Sequence, residues 1–301
     1  MKFKSVVQSL LKQNYHVSHL YHRLRLWVEG LKSQDKIIVY TMAKVGSTTV
    51  WKSLEDANLD APIYHIHTLN PASIKSAAEK NIANFPKLRF VNPETAQSEY
   101  LQSLLVQNVV QNPWHVVTLV RDPIAREVSN FFERLDGEIS LGFDYRNKLK
   151  EIGEEKALKE VIDRFFKKHV DNRDTTDKDP FDWFNYDLKS SLDVDIFAYP
   201  PLAEKGYRIY TSKSARVLLL KTESLNDCCQ SSFQDFLGLR DFKLVKSNVG
   251  SQKRYRNLYK NFLREVKLPT DYIEKIYSKK LVRHLYSDSE LEVFSQRWKK
   301  S

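Results

Sequence analysis

The residues best suited to chemistry lie in a short stretch, Met42-Ala43-Lys44-Val45-Gly46-Ser47-Thr48-Thr49. A β-branched apolar run, Lys36–Thr41, precedes it, and a helix-like segment, Thr49–Leu54, follows. A turn between a strand and a helix is a natural anion site. The first N–H groups of the helix point out of its end, and the helix dipole favours negative charge there. Gly46 removes the Cβ that would hold the backbone, including Val45, away from a phosphate. Ser47, Thr48 and Thr49 add hydroxyl donors, and Lys44 adds a point charge on a long stem.

The order of these residues is informative. A loop for ATP reads GxxxxGK[ST], with its lysine after the second glycine. Here Lys44 lies two residues before the only glycine of the stretch. The apolar run His115–Val120 ends in Arg121, where a phosphotransferase would be expected to place a magnesium-binding acid. Arg121 supplies a planar donor fork suited to phosphate. Ser129, about two helical turns later, returns to the same side of the element.

A second pair of reactive side chains is His65 and His67, in Ile63-Tyr64-His65-Ile66-His67. Two residues apart in a strand, they face one side. Histidine suits general-base work because its ordinary pKa of about 6.5 lies near working pH. His67 is preferred as the base because it lies closer to the strand's C-terminal end, where ligands sit in open α/β sheets. His65 would orient it or an acceptor, and Glu94, Glu99 and Glu133 are alternative bases.

Together these motifs resemble a known family. Lys44-Val45-Gly46-Ser47-Thr48 resembles the 5′-phosphosulfate loop of sulfotransferases that use 3′-phosphoadenosine-5′-phosphosulfate (PAPS), usually lysine-x-glycine-serine/threonine. Val117–Ser129 resembles their 3′-phosphate element, in which an arginine at a strand end and a serine on the next helix hold the phosphate. Tyr64–Leu69 is similar to the histidine-bearing strand of heparan sulfate 2-O-sulfotransferases. Asn248–Tyr255, with Gly250, Lys253 and Arg254, resembles the late basic loop that closes over the nucleotide in many of these enzymes.

Over most of residues 36–298, the layout is similar to bacterial capsular polysaccharide synthesis proteins, a sulfotransferase-like family. The resemblance implies PAPS as co-substrate, a hydroxyl acceptor on a saccharide, no metal, and a leaving phosphate stabilised by Lys44. Two rivals stand beside it: a non-catalytic nucleotide- or glycan-binding module, and a nucleotide-dependent phosphotransferase. Trp183, Phe184, Tyr207 and Tyr210 are suited to stacking on sugar faces, although such aromatics are more often core.

The elements that must position these groups alternate. Strands are expected at Lys36–Thr41, Ile63–His67, His115–Val120 and Ala215–Lys221, with helices between them. That alternation predicts an α/β fold with a central, mainly parallel sheet flanked by helices, and the resemblance implies that it is P-loop-like and three-layered. Asp122 is expected to cap the helix that begins at Pro123. Residues 1–35 form a basic N-terminal helical segment and residues 36–301 a single sulfotransferase-like domain.

Composition sets the outer bounds. The 301 residues are 42% hydrophobic, which fits a packed core rather than a disordered chain. A net charge of +10 favours anionic partners without choosing among nucleotide, acidic glycan, nucleic acid and a membrane surface; the resemblance implies a nucleotide donor and a carbohydrate acceptor, and not nucleic acid. The only cysteines, Cys228 and Cys229, are adjacent, which argues against a disulfide scaffold or zinc site and for a reducing, cytoplasmic compartment. No transmembrane segment is expected, since polar residues interrupt Met1–Lys32. That segment reads as a helix docked on the domain, with peripheral membrane contact as the alternative. No motif specifies the acceptor or the oligomeric state.

Overall fold

A computed structural model describes residues 15–31, 33–84, 92–107, 112–135, 151–171, 180–202, 205–245 and 255–299. The basic loop with Gly250, Lys253 and Arg254 lies outside the described residues, as do residues 1–14. The chain gathers into two compact units. The first comprises Met1–Val120, Asp182–Ala198 and Tyr207–Val245; the second comprises Arg121–Phe181, Tyr199–Gly206 and Lys246–Ser301.

In chain order the helices start with α1 (Tyr15–Gly30), α2 (Ser47–Asp56), α3 (Pro71–Asn84) and α4 (Pro93–Val106). They continue with α5 (Pro123–Leu135), α6 (Glu154–Phe165) and α7 (Leu225–Leu237). The last four are α8 (Arg256–Glu265), α9 (Thr270–Tyr277), α10 (Lys280–Leu285) and α11 (Asp288–Trp298). The strands are β1 (Ile37–Tyr40), β2 (Ile63–Ile66), β3 (Trp114–Val120), β4 (Tyr207–Thr211) and β5 (Ala215–Lys221).

The first unit holds all five strands in one sheet, ordered β2-β1-β3-β5-β4. β1, β2, β3 and β5 are parallel, and β4 runs antiparallel to β5. The fold is therefore α/β, with a mostly parallel sheet and flanking helices, as the alternation predicted. Near-continuous apolar sequence in β1, β3 and β5 is what a parallel strand covered on both faces requires. One face packs Val39, Val117, Leu119, Leu218 and Leu220 with Val50 and Leu54 of α2 and Phe233 and Phe236 of α7.

The chain leaves β1 for β2 on one side and returns to β3 on the other. The sheet thus has a topological switch between β1 and β3, and ligands of such sheets bind outside the strand C-termini at that point. The turn carrying Lys44 lies there.

α1 packs on α4. Leu26 is buried, and His19 Nε2 lies 2.8 Å from Glu99 Oε2. Helix docking was expected, but the docked face is not the apolar one, because Leu20 and Leu24 are exposed.

The second unit is helical. Asp122 caps α5 as predicted, its Oδ1 accepting from the Ile124 amide at 3.0 Å. The same buried carboxylate also accepts from Tyr277 Oη at 3.0 Å and from Trp298 Nε1 at 2.9 Å. Phe131, Phe165 and Phe262 pack edge-on and tilted in its core.

Candidate functional site

The turn after β1 has the shape an anion cradle needs. Lys44 has φ 69° and Gly46 φ 86°, so two of three successive residues are left-handed. Gly46 is the N-cap of α2. A side chain there would be strained by its φ and would bring a Cβ to 3.4 Å from Thr222 Cγ2. A lysine in the left-handed region costs about 1–2 kcal/mol, a strain that clusters at functional sites. Val45 is buried in the core and anchors the turn from beneath, while Thr48 and Thr49 are half-buried at its lip.

Thr222, directly after β5, braces this turn. Its hydroxyl lies 2.6 Å from the Val45 carbonyl oxygen and 2.7 Å from that of Val120. With one proton to donate, it serves either acceptor in turn and ties the β1 turn to the C-terminal end of β3. Sequence reading did not single it out; the signal was a hydroxyl immediately after an apolar parallel strand.

The two histidines are together but differently held. Their rings lie 5.1 Å apart, edge to face. His65 is buried, with Nε2 3.0 Å from Ser47 Oγ and its ring stacked 5.4 Å from Trp51. Burial, with a smaller contribution from His67, pushes the His65 imidazole down to about 4. At neutral pH it is therefore uncharged and set against the first hydroxyl of α2.

His67 is partly open to solvent. Its Nδ1 lies 2.7 Å from the carbonyl oxygen of Thr41, an atom that can only accept. Nδ1 therefore carries a proton, and the neutral ring presents an Nε2 lone pair. Glu94 Oε2 lies 3.9 Å from that Nε2, too far for a hydrogen bond.

A buried clamp sets this geometry. Asp187, in the π-helical turn Phe184–Lys189, accepts from the Tyr40 hydroxyl. It also accepts from Thr68 Oγ1 at 2.9 Å, the Leu69 amide at 2.8 Å and the Asn70 amide at 3.1 Å. Tyr40 immediately precedes Thr41, and Thr68 immediately follows His67. One carboxylate thus holds both ends of the Thr41–His67 hydrogen bond. Trp183 Nε1 adds a bond to the His67 carbonyl oxygen at 3.0 Å. Nothing local marks Asp187 in the sequence, since its partners lie more than a hundred residues away.

The remaining candidates differ in their surroundings. Glu99 is engaged by His19. Arg121, Ser129 and Glu133 belong to the second unit, with Arg121 and Ser129 half-buried and Glu133 exposed. Trp183, Phe184, Tyr207 and Tyr210 are all buried, so the sugar-stacking option gives way to a core role. Among the described residues, no cluster of three or more His, Cys, Asp or Glu is arranged to hold a metal ion. No described helix is long and apolar enough to cross a membrane.

Residues 152–287 are similar to a family described as "putative capsular polysaccharide synthesis protein". The similar region includes Asp187 and Thr222 and begins beyond the Lys44 turn, His67, Arg121 and Ser129. No curated protein and no solved structure matches the chain.

Proposed function

We propose that this protein is a sulfotransferase that moves the sulfuryl group of PAPS to a hydroxyl of a saccharide in polysaccharide synthesis. One observation carries the reading. A turn shaped for a phosphate, at the switch point of a mainly parallel sheet, stands in the same unit as a histidine whose tautomer leaves Nε2 free of its proton. The similarity of residues 152–287 supports the acceptor class, and the Lys44–Thr48 motif supports the donor class.

In the proposed reaction the 5′ end of the donor takes the amides of Val45 to Thr48 and the α2 dipole. His67 Nε2 accepts the acceptor hydroxyl's proton as the new O–S bond forms. The bond from sulfur to the phosphate oxygen breaks, releasing 3′-phosphoadenosine 5′-phosphate, whose new charge Lys44 offsets. His67 keeps its Nδ1 proton throughout, donated to the Thr41 carbonyl oxygen. The 3′-phosphate is assigned to Arg121 and Ser129, and closure to Gly250, Lys253 and Arg254, on the sequence resemblance. Metal ions have no assigned part.

The phosphotransferase rival would recruit Asp122 for magnesium. Its two carboxylate oxygens already serve the α5 cap, Tyr277 and Trp298, which disfavours that use. Calorimetric titration with 3′-phosphoadenosine 5′-phosphate and with ATP distinguishes the two. Tighter binding of the former, with transfer of label from sulfur-labelled PAPS to a polysaccharide panel, is the expected result. Preference for ATP would overturn the reading, and nucleotide binding without transfer to any glycan would favour a binding module.

A further inference from the structure

α1 turns its most apolar face to solvent. Leu20, Leu24, Trp27 and Leu31 are 59%, 55%, 58% and 66% exposed, and Tyr21 and Val28 lie beside them at 40% and 50%. The spacing 20, 24, 27, 31 is a continuous stripe along one side of a helix. A hydrogen bond from the Leu31 amide to the Trp27 carbonyl at 3.1 Å carries the spiral to its end. The opposite side is the docked one, with Ser18 and Leu26 buried, His19 bonded to Glu99, and Gly30 against Tyr100. A helix fixed by its less apolar side keeps the stripe outward.

The charges that the sequence carries on α1 and just before it select its partner. Met1–Leu31 contains Lys2, Lys4, Lys12, Arg23 and Arg25 against one acid, Glu29. Glu29 Oε1 is already bonded to Arg25 Nε at 2.7 Å. Burial, then the charge of Arg25, pushes His22 below the ordinary histidine value, so it adds no charge at neutral pH. A second copy of the helix would bring the same excess of cations to its own cations. A bilayer with anionic headgroups answers both features. Leucine side chains and the Trp27 and Tyr21 rings enter the acyl boundary, and the arginines reach the headgroups.

We propose that the outward face of α1 is a docking surface for an anionic lipid membrane, holding the protein on the bilayer as a peripheral protein. This surface is independent of the reaction assigned to the Lys44 turn.

The test is co-sedimentation of the full chain with phosphatidylcholine vesicles and with vesicles containing phosphatidylglycerol. The paired variant is Leu24→Glu with Trp27→Glu, and a second variant is Arg23→Glu. Both substitute exposed positions, and circular dichroism and urea midpoints equal to wild type establish that they fold. Wild type is expected to bind phosphatidylglycerol vesicles at least tenfold more tightly than phosphatidylcholine vesicles. The paired variant should lose at least tenfold in affinity and Arg23→Glu severalfold. Absence of vesicle binding, or binding unchanged in the paired variant, overturns the proposal. So does a wild-type dimer in analytical ultracentrifugation that the paired variant converts to monomer, because the stripe would then face a second copy.

Discussion

His67 donates its Nδ1 proton to the carbonyl oxygen of Thr41 across 2.7 Å, joining the residue after β2 to the residue after β1. This bond makes Nε2 the basic nitrogen, whichever acceptor is presented to it. His67→Ala is therefore expected to lower transfer by about 10²–10⁴-fold, the usual contribution of a positioned general base. Binding of 3′-phosphoadenosine 5′-phosphate should be unchanged, since the imidazole is assigned to the acceptor. Single-turnover assays with labelled PAPS, alongside calorimetry, make the check; a fully active variant would place the base elsewhere.

Asp187 governs that bond from a distance. Asp187→Ala removes the carboxylate whose Oδ1 accepts from Tyr40, Thr68 and two backbone amides, and leaves those buried donors without their acceptor. Breaking a buried carboxylate network of this kind costs on the order of 3 kcal/mol. Urea unfolding should show that loss. In protein that remains folded, turnover should fall more than nucleotide affinity, because the His67 ring loses its fixed orientation. A variant as stable as wild type would remove the clamp from the account.

Local pattern made the strand order partly readable. β1, β3 and β5 are unbroken apolar runs because both faces of a parallel sheet are covered. β4 escaped detection because Tyr-Arg-Ile-Tyr-Thr is an edge strand, with only Tyr207 and Tyr210 fully buried. The Lys44 turn and the histidine pair were legible because each keeps its chemistry within a few consecutive residues. Thr222 and Asp187 were not, because each acts on atoms 102 to 177 positions away and no periodicity encodes such pairings. For the same reason α1 could be read as amphipathic while its outward side could not.

The buried ring of His65 makes stability depend on pH in a definite direction. Its folded pKa of about 4 lies below the ordinary 6.5, so the unfolded chain takes the proton first. The contribution is therefore fully present above pH 6.5 and is lost as pH falls from 6.5 toward 4, with little further change below. The loss amounts to about 3 kcal/mol over that window. His65→Gln removes the titrating group while retaining a polar partner for Ser47. Urea midpoints at pH 7 and pH 4.5 should differ less in this variant than in wild type. Equal pH dependence in both would show that His65 is not held neutral by the fold.

Asp122 joins three elements of the second unit, as cap of α5, acceptor from Tyr277 of α9 and acceptor from Trp298 at the end of α11. Burial pushes its carboxyl above the usual carboxylate range, while the Trp298, Tyr277 and Ile124 donors work against that rise. Asp122→Ala removes a helix cap, worth about 1 kcal/mol, and strands two buried donors at about 1–3 kcal/mol each. Trp298→Phe removes only one donor and keeps most of the ring's volume, so its cost should be smaller. If the carboxylate acts as one node, the double variant Asp122→Ala with Trp298→Phe should be less destabilised than the sum of the two single variants. Chemical denaturation of the four proteins measures that coupling. Strict additivity would mean that Trp298 is held by packing alone, with no stabilisation from its bond to Asp122.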